Sequence, residues 1–220
     1  MFILSSVIIY KLIKKVINFR ENPNKYLIKN NNFIRDFKRL YSEIKDPWCQ
    51  DKKLQEDITF LIVNNFLNKI IKSSSKKLDL LDVGAGKGSL KKYISKKFNY
   101  IGSDIHKKKF KTVIDDDITK HNVNLVNRFD VIVCLKTIYY VSDKIDIVLN
   151  NFKKYLRNNG MLIISYNLKK DSFSNKLLTD IKLRKILIKK KFKENYTIEM
   201  NRELYYTGKE KFSIFVFNKV

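Results

Sequence analysis

Asp82 stands directly before three glycines at alternate positions, Gly84, Gly86 and Gly88, at the end of the run Leu78-Asp79-Leu80-Leu81-Asp82-Val83. A parallel strand delivers its carboxyl end to a small-molecule ligand in this way. Glycines let the backbone turn sharply and let a ligand approach with no Cβ in the way. The spacing is Gly-x-Gly-x-Gly, not the Gly-x-Gly-x-x-Gly of the dinucleotide fingerprint. A carboxylate before the loop would repel a pyrophosphate but welcome a cationic amine or sulfonium, which favours S-adenosyl-L-methionine over NAD. The bland alternative for the loop is a tight strand-to-helix turn with no ligand. A second acid, Asp104, ends the run Tyr100-Ile101-Gly102-Ser103-Asp104. That is where a doubly wound sheet holds ribose hydroxyls, the alternative being a helix N-cap or turn residue.

The elements that must position these acids read as alternating strands and helices. A short helix follows Gly88, with Leu90, Tyr93 and Ile94 on its apolar face. Lys111–Ile114 runs as a third strand into the acidic loop Asp115-Asp116-Asp117-Ile118. Phe129–Leu135 is a buried fourth strand, followed by a helix burying Ile145, Val148, Leu149, Phe152 and Leu156. Asn158-Asn159-Gly160 makes a turn into a fifth strand, Met161–Tyr166. Helical spacing returns through Leu177, Ile181 and Leu187. Two extended runs, Tyr196–Ile198 and Phe212–Phe217, read as an antiparallel edge pair. The order predicts an α/β fold with a mainly parallel sheet.

Four motifs carry a resemblance to the class I S-adenosyl-L-methionine-dependent methyltransferases, specifically the small type 11 group. They are Asp82-Val83-Gly84-Ala85-Gly86-Lys87-Gly88, Gly102-Ser103-Asp104, Phe129–Leu135 and Leu156–Ile163, within a stretch from Leu78 to Val220. The resemblance implies a three-layer Rossmann-like fold with a seven-stranded sheet, mainly parallel, whose last strand is antiparallel. It implies that Asp82, Gly84, Ala85, Gly86 and Gly88 cradle the methionine part of S-adenosyl-L-methionine. Asp104 would take the ribose, Asp117 and Ile118 would flank the adenine, and Ile105 and Leu135 complete the cofactor set. A weaker likeness lies upstream. Tyr41-Ser42-Glu43-Ile44-Lys45-Asp46-Pro47-Trp48 is similar to an element of methyltransferases from polysaccharide-biosynthesis clusters and of nodulation-type N-methyltransferases, which act on saccharides. It implies Trp48 on the substrate side. Two departures stand out. The connection Ile105–Phe110 is too short for an ordinary crossover, so a single turn and an open adenine side are expected. The position after the fourth strand, often an acid in this family, is Lys136.

The methyl group would emerge between the loops after the first and fourth strands. Lys136, Tyr139 and Tyr140 are there to position an acceptor, with Tyr166 and Asn167 at the end of the fifth strand. Lys136 could hold an anionic acceptor or be a solvated helix-start lysine. The two histidines, His106 and His121, read as surface residues rather than bases. With no His or Glu clearly placed, a pre-aligned amine is easier to methylate than a sugar hydroxyl.

The chain has 220 residues, 46 Lys and Arg against 22 Asp and Glu, and a net charge of +24. That surface favours anionic partners, and RNA methylation is the main alternative function. Against it, the basic residues are scattered and almost all Lys, and the Pro-Pro-Tyr and Pro-Cys motifs of base methyltransferases are absent. A small, sugar-type or otherwise anionic acceptor is the favoured reading; a non-catalytic protein of the same fold is the third. Cys49 and Cys134 are too few for a disulfide framework, which fits a reducing, cytoplasmic setting, and no Cys/His cluster suggests a metal. Residues 77–220 read as the cofactor-binding domain and 1–76 as a helical extension, with 33–72 as a substrate-side cap. Residues 1–20 are apolar but interrupted by Lys11, Lys14 and Lys15, too short to span a bilayer. They read as a candidate in-plane membrane helix or a helix packed on the domain.

Overall fold

The computed structural model describes residues 23–44, 47, 58–105, 112–168, 173–204 and 208–220. The chain divides into two compact units, 1–49 and 50–220. In the first, a helix at Asn24–Leu27 leads into a two-residue hairpin, Ile28–Lys29 with Asn32–Phe33. Asn30 and Asn31 take the positive φ that such a tight turn requires. The helix Phe37–Glu43 follows, its first turn closed by Asp36, whose carboxylate accepts the Arg39 N–H at 3.0 Å. Tyr26, Leu27 and Leu40 are buried, and the Tyr26 hydroxyl donates to Glu43.

The second unit is a seven-stranded sheet: β1 Leu78–Val83, β2 Phe98–Asp104, β3 Val113–Asp115, β4 Phe129–Leu135, β5 Leu156–Leu168, β6 Phe192–Leu204 and β7 Gly208–Lys219. Their order is β3-β2-β1-β4-β5-β7-β6. The first five are parallel, and β7 runs antiparallel to both β5 and β6. Among the described residues four α-helices accompany them: α1 Ile58–Lys72, α2 Ile145–Tyr155, α3 Phe173–Leu177 and α4 Asp180–Lys189. Both faces of the sheet are buried, as an all-parallel centre requires. Val63, Leu67 and Ile71 of α1 cover Leu78, Leu80, Val131 and Val133. On the other face Val148, Leu149 and Phe152 of α2 and Leu183 and Leu187 of α4 cover Leu81, Ile132 and Cys134. α1, placed by sequence in the N-terminal extension, therefore packs as a layer of the sheet-bearing unit.

Three local expectations differ from what is found. The short helix after Gly88 is a single 3-10 turn, Ser89–Lys92, with Leu90 and Ile94 buried. The turn at 158–160 is a bulge at the start of β5, where Phe129 opposes Leu156 but Val131 already opposes Met161. Asn159 there has φ 60. The helical run through Leu177 and Ile181 is broken: Leu178 and Thr179 separate α3 from α4, and Thr179 caps α4 by accepting the Lys182 N–H at 3.1 Å. That restart turns Ile181 outward and Leu183 and Leu187 inward. Residues 1–22, 106–111 and Trp48 lie outside the described residues, and with them the membrane helix, the short crossover, His106 and the tryptophan. Among the described residues no helix is long and apolar enough to cross a membrane, and no cluster of His, Cys, Asp or Glu could hold a metal.

Candidate active site

β1 ends at Val83 and the chain turns through Gly84, Gly86 and Gly88, with φ of 71, 56 and 69. An L-residue reaches this region only with strain. Gly84 is needed for a second reason. A Cβ on it would lie 2.1 Å from Thr137 Oγ1, so the glycine loop and the loop after β4 touch here. The loop's amides are fixed from β2: Gly84 and Ala85 donate to the Ser103 carbonyl at 2.8 and 3.0 Å, and Gly86 N–H donates to Asp104 Oδ2 at 2.8 Å. Asp104 thus ties the loop to β2 from the position expected to face a ribose, with Ile105 exposed beside it.

Asp82 is 5% exposed. Among the described residues its carboxylate takes one hydrogen bond, from the Tyr100 hydroxyl at 2.7 Å to Oδ2, and no cation pairs with it. Burial, helped by the charge of Asp104 and opposed by the Tyr100 bond, pushes its carboxyl up to about 7. A buried carboxyl of this kind takes up a proton unless something positive arrives to favour its ionised form. The ammonium of a methionine moiety meets that need, and the glycine turn leaves the approach unobstructed by side chains. The residues present therefore fit S-adenosyl-L-methionine.

The acidic loop after β3 is stapled to α2. Asn151, buried in the helix face, donates to the carbonyls of Ile118 and Lys120 at 2.8 and 3.0 Å, and the Tyr155 hydroxyl accepts the Asn122 N–H at 2.7 Å. Ile118 is buried. Asp117 closes the turn on itself, its Oδ1 accepting from both the N–H and the hydroxyl of Thr119. Asp116 is the acid with capacity left. Its Oδ1 accepts from Asn122 at 2.9 Å, but its buried Oδ2 has no hydrogen-bond partner among the described residues. Burial holds its carboxyl above the ordinary range.

On the acceptor side, Leu135 is buried at the end of β4 and Lys136 has φ 54. The Lys136 N–H donates to Ser165 Oγ at 2.8 Å, locking β4 to β5 at that left-handed residue. Tyr139 and Tyr140, half-buried, touch with ring centroids 4.4 Å apart and their planes tilted by 59°. Tyr166 sits elsewhere. It is packed in the core, and its hydroxyl donates to the Leu178 carbonyl, so it supports the fold behind the mouth. The Asn167 side chain lies outside the described residues. His121 is exposed against Tyr155, and Cys134 is buried, its thiol pushed well above the ordinary range by burial. Sequence reasoning missed Tyr100, Asn151, Asp116 and Ser165, and it placed Thr137 beside Lys136, Tyr139 and Tyr140 without its contact with Gly84. A polar Asn on the buried face of α2 and a Tyr two residues before the glycine that pairs with Asp82 were the available signals.

Strand order, antiparallel β7 and a glycine loop with an acid at each of the first two strand ends define a Rossmann-like fold of the class I methyltransferase type. A family model described as a methyltransferase domain matches residues 51–200, and the chain belongs to that family. It is an enzyme that takes its methyl group from S-adenosyl-L-methionine. No curated protein matches it. Among solved structures it is similar to the N-methyltransferase NodS from Bradyrhizobium japonicum WM9 in complex with S-adenosyl-l-homocysteine, at 14% identity over 90% of this chain and 99% of that one, TM-score 0.62. It is also similar to 1,6-didemethyltoxoflavin-N1-methyltransferase from Burkholderia thailandensis, at 16% identity over 84% and 86%, TM-score 0.61. The [4+2]-cyclase SpnF shares the fold at 11% identity over 71% and 80%, TM-score 0.56.

Proposed function

We propose that this methyltransferase acts on a small anionic acceptor of sugar type, at a nitrogen. The observation that carries the donor half is Asp82, a buried carboxylate with no cation among the described residues, under a glycine turn. In this reading Asp82 and the glycine loop receive the methionine portion, and Asp104 the ribose. Asp117, Ile118 and the neighbouring Asp116 line the adenine, and Ile105 and Leu135 give apolar contact. The bound donor supplies a methyl group activated by its positive sulfur. The protein's share is then alignment and exclusion of water. Lys136 offers a cation to an acidic group on the acceptor, and Tyr139 and Tyr140 offer an angled aromatic surface. Support for nitrogen is the sequence of the two segments that meet at Lys136 and Ser165. Residues 136–142 and 165–167 carry lysine, threonine, serine, tyrosine and asparagine but no His, Glu or Asp to take a proton from a hydroxyl. Support for an anionic acceptor is the charge of +24.

The test is calorimetric titration with S-adenosyl-L-homocysteine, on wild type, Asp82→Ala and Asp104→Ala, followed by methyl-transfer assays on amino-sugar nucleotides and then RNA. Binding lost in both variants, with turnover of an amino sugar, is the expected result. Folded wild type that does not bind would remove the cofactor assignments. Turnover of RNA alone, with a steep salt dependence, would replace the small acceptor.

A further inference from the structure

Tyr100 lies beneath the glycine loop, and its place follows from strand register. β1 and β2 pair so that Leu80 faces Tyr100 and Asp82 faces Gly102. Residues two apart on a strand share a face, so Tyr100 and Asp82 are diagonal neighbours. Gly102, between them, has no side chain to block the ring. A Cβ there would lie 3.0 Å from the Tyr100 hydroxyl, and one on Gly88 would lie 3.5 Å from it. The hydroxyl reaches through this gap and donates to Asp82. Its surroundings are otherwise apolar, with Leu80, Leu90, Phe98 and Val133 in the same cluster. A phenylalanine would bury as well there without a hydroxyl to satisfy.

We infer that Tyr100 is a positioning residue of the cofactor site: its hydroxyl holds the Asp82 carboxylate, ionised and oriented, for the ammonium of the methionine portion, and Gly102 leaves room for it to do so. This rests on the reading of Asp82 as that ammonium's partner. The titratable groups facing Asp82 are Tyr100, Asp104 at the end of β2 and Cys134 on β4. Tyr100 is held protonated by burial and by the neighbouring carboxylate, so it is always the donor. Cys134 is held as the neutral thiol. Asp104 pushes Asp82 towards its proton, and the Tyr100 bond is what opposes this. Loss of the hydroxyl therefore leaves less carboxylate to meet the ammonium at neutral pH.

The experiment is calorimetry with two ligands across pH 6 to 8.5. S-adenosyl-L-homocysteine carries the amino acid; 5′-methylthioadenosine has the same adenosine without it. Tyr100→Phe is expected to bind the first about tenfold more weakly near pH 7, the loss shrinking as pH rises, and to bind the second as wild type does. Wild-type affinity for the first should fall as pH drops below about 7, and the midpoint should move upward in Tyr100→Phe. In an Asp82→Asn background the same change should do nothing further. Gly102→Ala, whose Cβ would meet Ala85 Cβ at 2.9 Å as well as the hydroxyl at 3.0 Å, should act in the same direction. It serves if Tyr100→Phe fails to fold, because only the part of its effect that vanishes in the Asp82→Asn background runs through Tyr100. Equal weakening of both ligands, or an undiminished effect in the Asp82→Asn background, would mean that the ring merely shapes the loop and would overturn the inference. If Asp82→Asn weakens homocysteine binding and Tyr100→Phe does not, this inference alone fails. If Asp82→Asn changes nothing, the assignment of Asp82 fails and takes the inference with it.

Discussion

At the amino ends of the central strands, Asp79 and Asp130 share Arg157, which donates to them at 2.8 and 2.7 Å. Asp130 also accepts the Asp79 N–H, and Asn99 donates to Asp79. Only three residues along β1 from Asp79, at the carboxyl ends, Asp82 is more deeply buried and has a tyrosine hydroxyl and no cation among the described residues. The two ends use the same residue type for opposite purposes. At one end the chain supplies the counter-charge and the acids knit four strands, β2, β1, β4 and β5. At the other, in the function proposed above, the counter-charge is left for a ligand to bring. The location of unmet charge, more than the presence of acids, separates the binding edge from the structural edge.

Four variants would break or sharpen that contrast. The largest effect is expected from Gly84→Ala, which puts a Cβ against Thr137 at positive φ. Strain and overpacking together should cost about 3 kcal/mol in stability. Thr137→Gly in the same chain should recover part of it, read by chemical denaturation. Next is Asp82→Asn in the ligand-free protein. The folded carboxyl lies at about 7, above its unfolded value, so ionised Asp82 opposes folding increasingly as pH rises from about 4 to 7, then by a constant amount. Asparagine should therefore stabilise the fold, its advantage growing by about 2 kcal/mol between about pH 5 and pH 8. A flat difference across that range would show that Asp82 has found a cation. Arg157→Met should cost only about 1 kcal/mol, because the triad is partly solvated, and should leave S-adenosyl-L-homocysteine affinity unchanged. Loss of affinity there would erase the distinction between the two ends. Smallest is Asp116→Asn, expected to weaken adenosine binding a few-fold by calorimetry; no change would leave that edge to Asp117 and Ile118.

The sequence exposed the features that repeat with a simple period or stand at a strand end. β1, β2, β4, β5 and the β6–β7 pair are apolar runs, and the glycine turn and Asp104 follow from residue type. What it hid depends on register between strands or on where a helix restarts. Tyr100 looks like one more apolar residue until Gly102 is seen opposite Asp82. Ile181 and Leu183 fit a helical face equally well until Thr179 sets the first turn of α4. Thr137 is distant in sequence from Gly84, and only the parallel pairing of β1 with β4 brings them together. Tyr166, at the right strand end for an acceptor contact, turns inward because its hydroxyl finds the Leu178 carbonyl.

The position of β7 between β5 and β6 has a consequence for the order of folding. β6 precedes β7 in the chain, yet among the described residues β7 is the only strand with which β6 pairs. Until residues 208–219 dock, β5 and β6 each present an unmatched edge with a long run of backbone donors and acceptors. Premature union of those two would trap the wrong topology. Correct assembly waits for Phe212, Ile214, Val216 and their neighbours to insert between them. The folding chain is thus most open to aggregation or chaperone capture before β7 docks.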